Sequence, residues 1–258
     1  MASLFQARAL VLSRREAREV DRWYSALSRD IGKIEFMARG GQKPLAKLTP
    51  HLESIAEVEL LLVQGRYYFT VAGVERRRAF PKLSSDLSKL LLAQSGLHLV
   101  DIGTRPLEAD PFLYKSLLYW LKFLEVAPAL SKERSAFLLA AFSLKLMAII
   151  GYRPELLRCL ACKRELSPGA FRWHALKGGA VCTACVRADE AQWFAARPLA
   201  DSTLKLLRFA LSESYPILLR PKLPAETLTD FHTAVESLIV SHFPTIPANS
   251  LRESCLVC

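Results

Sequence analysis

Short alternating runs of apolar and polar residues fill the first 80 positions. FQARALVL (5–12) and EVDRWYSAL (19–27) read as strands, and Asp30-Ile31-Gly32 supplies a turn before a third, GKIEFMARG (32–40). VELLLV (58–63) puts Val58, Leu60 and Leu62 on one face, and Gln64-Gly65 then turns the chain into RYYFTVAGV (66–74). Five short strands at regular spacing predict a small antiparallel barrel. The OB-fold is the commonest five-stranded choice, with an SH3-like barrel as its competitor on pattern alone.

After Pro81 the period becomes helical. Asp110-Pro111 sets a capping carboxylate before a proline suited to the first helical position, opening FLYKSLLYWLKFLE. The stretch from about Glu133 to Ile150 is apolar nearly all round, which predicts the central helix of a bundle. Asp201 is expected to cap STLKLLRFALS, and ETLTDFHTAVESLIVSHF (226–243) sets Leu228, Phe231, Val235 and Leu238 at helical spacing. The tail PTIPANSLRESCLVC has two prolines and no period. Its Cys255 and Cys258 superficially match a prenylation box, but read as tail thiols without a role.

Half of the 258 residues are hydrophobic, which excludes disorder as the main state. A formal charge of +10 points to polyanionic partners, nucleic acid before an anionic membrane surface. MASLFQARALVL lacks a basic leader and a cleavage site, and FLLAAFSLKLMAIIGY (137–152) is too short to span a bilayer. The chain is expected to be cytoplasmic and without a membrane partner. There, paired cysteines mean metal or redox chemistry rather than structural disulfides.

Four of the six cysteines lie between 159 and 185 as two C-x-x-C pairs, Cys159/Cys162 and Cys182/Cys185. The spacing is that of a four-cysteine zinc site, and the turn residues between the pairs suit a hairpin joining two knuckles. Four thiolates close the coordination shell, so the zinc is expected to be structural. His174, between the pairs, reads as a polar loop residue.

Catalytic constellations are scarce: the chain has no G-x-x-x-x-G-K-[ST], H-E-x-x-H or G-x-S-x-G. Its five histidines sit in unrelated contexts, and His232 with Asp230 reads as solvated helix surface. A binder is expected, not an enzyme. The basic residues are better organised. Arg14, Arg15, Lys33, Arg39, Lys43 and Lys47 gather at strand ends and in the loop ARGGQKPLAK, and Arg76, Arg77 and Arg78 follow the last strand. Gly40-Gly41 would let backbone approach a phosphate, and Tyr67, Tyr68 and Phe69 would offer a base-stacking face or pack as core. These residues are the candidate DNA contacts. A zinc-ribbon module binding RNA, or associated with transcription, is the alternative.

ALVLSRREAREVD (9–21), GKIEFMARGGQKPLAKLTPHL (32–52) and FSLKLMAIIGYRPELLRCLAC (142–162), with CTAC as a second knuckle, are similar to the RecO family of bacterial recombination mediators. The resemblance implies a multidomain α and β protein. An N-terminal five-stranded OB-fold barrel (1–80) would bind DNA, followed by an all-α helical domain (81–258) carrying an inserted four-cysteine zinc finger (157–188). It implies no turnover, but binding of single- and double-stranded DNA and annealing of complementary strands. The implied partners are RecR, single-stranded-DNA-binding protein and, indirectly, RecA. Lys33, Arg39, Gly40, Gly41 and Lys43 inherit the DNA role, and the four clustered cysteines the metal role. Ala140 and Ala141 stand where several members carry an arginine before the residue matching Phe142, and LRPKLPAETL (219–228) keeps only Arg220 and Lys222 of a basic stretch.

Overall fold

Alternation builds the first sheet. In the computed structural model, which describes residues 3–17, 20–43, 46–52, 55–166 and 168–246, five strands form. These are β1 (Leu4–Ala17), β2 (Asp21–Ser28), β3 (Gly32–Ala38), β4 (Ala56–Gln64) and β5 (Phe69–Ala79), with a short helix α1 (Thr49–Leu52) before β4. The strands close in the order β1-β2-β3-β5-β4, with β1 antiparallel to β4 and β3 parallel to β5. This is the OB order, so the OB expectation holds over its SH3-like competitor. Val58, Leu60 and Leu62 point inward on β4, as their spacing predicts. Alanines 7, 9 and 26 leave room beside them for Tyr24 and Phe36, whose rings stack at 5.7 Å. Small and large residues thus share the interior of a narrow barrel.

Strands run further than their hydrophobic pattern. β1 continues to Ala17 because Arg14, Arg15 and Glu16 pair with Tyr24, Trp23 and Arg22 across β2. Ladder hydrogen bonds sustain a strand whose side chains no longer alternate. β5 begins at Phe69 and ends at Ala79, so Arg76, Arg77 and Arg78 lie on the last strand rather than after it. Gly32 opens β3 at φ +86°, and a Cβ there would sit 2.2 Å from the Glu108 carbonyl oxygen. Only glycine fits that crossing.

The contacts divide the chain into two compact units, Met1–Ala129 and Leu130–Cys258. Three helices therefore share the barrel's unit: α2 (Pro81–Ser85), α3 (Leu87–Gly103) and α4 (Pro111–Val126). Asp110 caps α4 as its sequence predicts, accepting from the amides of Phe112 and Leu113 at 2.9 Å. A polar pin joins α3 to the barrel. The Asp101 carboxylate accepts from the hydroxyls of Ser13 and Ser25 at 2.5 and 2.6 Å, and its carbonyl accepts from Lys33 Nζ at 2.6 Å. On the strand side, Glu57 is buried between Arg8 (3.0 Å) and Arg78 (3.5 Å) and accepts from Tyr114 of α4 at 2.8 Å.

The second unit opens with α5 (Lys132–Ile149), where every residue from Phe137 to Leu144 is buried. Next come β6 (Phe171–His174), β7 (Gly179–Cys182), α6 (Thr183–Ala188) and β8 (Arg197–Leu199), then α7 (Asp201–Ser212), α8 (Tyr215–Leu218) and α9 (Ala225–His242). As the pattern predicts, α5 is central, packing on α7 and α9. Two expectations need correction. Ala200, not Asp201, occupies the N-cap of α7, and Asp201 instead pairs with Lys205 one turn on, at 2.6 Å. His232 is buried beside Phe231, not solvated, because α9 is packed along that face. Cys255 and Cys258 lie outside the described residues.

Candidate nucleic-acid interface and metal centre

The barrel sorts the candidate cations by their partners. Lys33 is turned inward, its side chain 11% exposed and its ammonium 3.6 Å from the Asp101 carboxylate. Arg77 lies 3.0 Å from Glu75 and 3.4 Å from Glu59, and Arg78 shares buried Glu57 with Arg8. Arg76 donates to the Pro50 carbonyl at 3.0 Å. Much of the charge of the arginine triplet is therefore neutralised by carboxylates on the neighbouring strand. Arg14 is exposed at the end of β1. Arg39, Lys43 and Lys47 are also exposed, and none has an ion-pair partner among the described residues.

The glycines of the ARGGQKPLAK loop do something other than cradle an anion. The Gly40 amide donates to Asp21 Oδ1 at 2.8 Å, and the Gly41 amide to the Ala38 carbonyl at 3.2 Å. The Gln42 amide donates to the Val20 carbonyl at 2.9 Å, and the Lys43 amide to the Gly40 carbonyl at 3.0 Å. All four amides face the fold. Gly40 has φ +65°, and a Cβ on Gly41 would press within 3.1 Å of the Ala38 carbonyl oxygen. The paired glycines make a tight turn that presents Arg39 and Lys43 outward.

An aromatic row lies on the β2–β3 side of the barrel. Trp23 on β2 meets Tyr68 edge to face, with ring centroids at 5.3 Å, and the Arg15 guanidinium lies over the Trp23 ring at 5.4 Å. In the β4–β5 turn, Arg66 lies over Tyr67 at 5.2 Å, and Tyr67 is 80% exposed. Phe69 turns the other way, against Phe5 and the barrel core. Of the three consecutive aromatics, two therefore face out and one packs. Trp23 and Arg66 escaped the sequence reading. Strand alternation from Tyr24 was the available signal for Trp23, since an inward Tyr24 sends Trp23 outward.

The four clustered cysteines are brought together. Their sulfurs lie within 4.8 Å of one another, and those of Cys159 and Cys182 are 3.7 Å apart. A tetrahedral zinc with bonds of about 2.3 Å sets its sulfurs roughly 3.8 Å apart, so the donor set fits. The first knuckle is a tight turn in which Lys163, at φ 60°, donates its amide to the Cys159 carbonyl at 3.0 Å. The second joins the end of β7 to the first turn of α6. A hydrogen bond with the Arg164 side chain lowers the Cys162 thiol to about 6, whereas hydrogen bonding to Cys182 pushes Cys185 up to about 12. His174 lies outside the cluster, buried at the end of β6, where Nδ1 accepts from the Lys177 amide at 3.2 Å.

Two family models cover most of the chain, Recombination protein O N terminal over residues 1–80 and Recombination protein O C terminal over residues 84–252. This chain belongs to the RecO family. Among its relatives, the DNA repair protein RecO of Pelotomaculum thermopropionicum is 34% identical over 81% of this chain and 77% of its own. That of Dehalococcoides mccartyi is 26% identical over 91% of this chain and 89% of its own. That of Desulfitobacterium hafniense is 32% identical over 70% of this chain and 64% of its own. Ala140 and Ala141 are fully buried in α5. Among the described residues, no helix is long and apolar enough to cross a membrane.

Proposed function

We propose that this chain acts in DNA repair by binding DNA through its barrel and annealing complementary strands. With RecR it would help load RecA onto strands covered by single-stranded-DNA-binding protein. The observation that carries the reading is the Trp23–Tyr68 contact flanked by Arg15, with Arg66 and Tyr67 in the adjoining turn. OB-folds bind oligonucleotides on the face of strands 2 and 3 and in the 1–2 and 4–5 loops, where these residues stand. Aromatic rings stack any base, and the unpaired charges of Arg39, Lys43 and Lys47 neutralise backbone without reading sequence. Annealing follows from the surplus of charge, because two neutralised strands meet without mutual repulsion. Structural zinc on Cys159, Cys162, Cys182 and Cys185 would order the finger and leave no position for a reacting water.

The test is Trp23→Ala combined with Tyr68→Ala. Stacking contributes about 1–3 kcal/mol per base, so affinity for a dT oligonucleotide should fall at least roughly tenfold with the salt dependence unchanged. Unaltered affinity would move the site off this face. Equal or tighter binding of an RNA oligonucleotide would favour the alternative RNA-binding module.

A further inference from the structure

Glu35 puts a carboxylate on the very face that the aromatic row and its arginines suit to a polyanion. Strand register places it there. Trp23 on β2 pairs with Arg15 of β1 on one side and with Met37 of β3 on the other. Glu35 lies two residues back along β3, opposite Ser25, and so projects from the same face as Met37. Diagonal neighbours such as Trp23 and Glu35 stand about 7–8 Å apart. The fold gains little from this carboxylate. Its one ion-pair partner among the described residues is Arg15, at 3.4 Å, and the two side chains are 48% and 66% exposed. Exposed pairs of this kind add little to stability. Glu57 and Asp101, by contrast, are nearly covered, and each holds several groups of the fold.

Arg15 shows what fits between the ring and the carboxylate. Its guanidinium is flat, lies over the Trp23 ring at 5.4 Å and donates from Nη2 to Glu35 Oε2. A flat group over the indole with an N–H aimed at Glu35 is also the outline of a nucleobase bearing an exocyclic amine. Cytosine and adenine present that donor on the edge a splayed single strand leaves open. Thymine presents there one ring N–H between two carbonyl oxygens, which a carboxylate repels. We propose, resting on the reading of this face as the single-strand site, that Glu35 reads the exocyclic amine of one stacked base. The barrel thereby prefers cytosine and adenine to thymine. The incoming base takes the place of the Arg15 guanidinium over Trp23 and donates to Glu35. Arg15, released, meets a phosphate of the same strand. Stacking alone makes no such choice, since every base has a π-face.

The probes are fluorescein-labelled oligo-dC and oligo-dT of equal length, titrated with the full chain at neutral pH. Oligo-dC should bind roughly tenfold tighter, the scale of one hydrogen bond to a charged group. Glu35→Gln keeps the shape, removes the charge and can donate to a thymine carbonyl, so it should bring the two affinities within about twofold. Glu35→Ala should also erase the preference, and both variants should melt as the unaltered chain does. Equal affinity of the unaltered chain for the two oligonucleotides overturns the proposal, as does a preference for oligo-dC that survives both substitutions. Trp23→Ala with Tyr68→Ala separates the base reading from the site itself. If that variant weakens both oligonucleotides while the unaltered chain shows no preference, the base reading alone falls. If it binds both as tightly as the unaltered chain, the single-strand site lies elsewhere and the base reading falls with it.

Discussion

Lys33 shows how a single residue can match a functional motif and serve the fold. Its ammonium is nearly covered and lies against Asp101, so Lys33→Met should lower stability by about 1–3 kcal/mol in urea denaturation. The salt dependence of oligonucleotide binding should shift by less than about 0.3 in log–log slope, since no phosphate contact is lost. His174 carries a pH signature. Burial first, and the nearby Lys177 charge second, lower its pKa, so the folded state disfavours the imidazolium. The unfolded chain then takes up the proton first as pH falls through about 6.5, and stability declines below that pH. His174→Gln should remove this component of the decline, seen as a smaller drop in melting temperature between pH 7 and pH 5.5 than in the unaltered chain. A parallel pH dependence in both proteins would exclude His174 as its source.

At the scale of elements, the finger is the most separable piece. Cys182→Ser removes one of four sulfur donors, the one at the end of β7. Structural zinc is worth on the order of 10 kcal/mol or more in isolated fingers, so this variant should release its metal to a chromogenic chelator and lose the finger's cooperative melting. Oligonucleotide binding by the barrel should persist. Loss of both together would tie the finger to the DNA surface. The elements legible in the sequence were those specified locally: the C-x-x-C knuckles, the Asp110-Pro111 helix start, and the alternation of β4. Elements decided by long-range partners were not. β1 and β5 extend through polar residues because their neighbours supply hydrogen bonds, and Glu57 and Glu59 meet Arg78 and Arg77 only through the β4–β5 register. Likewise, Trp23 and Tyr68 are 45 positions apart in sequence and meet only when the barrel closes. Gly40-Gly41 suggested a backbone open to a phosphate, but which way its amides faced depended on Asp21 and Val20 across the fold.

For the whole molecule, the surplus of ten positive charges matters less than where it is left unpaired. Replacing Arg39, Lys43 and Lys47 together with alanine should flatten the salt slope of single-strand binding by about two units, at about 0.7 per phosphate. The loss should be uniform across sequences, and annealing of complementary oligonucleotides should stay slow even at saturating DNA. A slope within about half a unit of the unaltered chain would leave only a general field effect. Barrel closure bears on the same surface. The β3–β5 seam holds just two residue pairs, Phe36 with Phe69 and Met37 with Thr70, whereas β4 and β5 pair along nearly their whole length. Local opening favours places where hydrogen bonding and packing are sparse. Tyr67 and Tyr68 stand immediately before that seam, so their turn would move with any opening of it. If the barrel binds single strands as proposed, breathing of this joint would let the spacing between Tyr68 and Trp23 widen to admit a base and close on it, while the remaining four seams hold the barrel's shape.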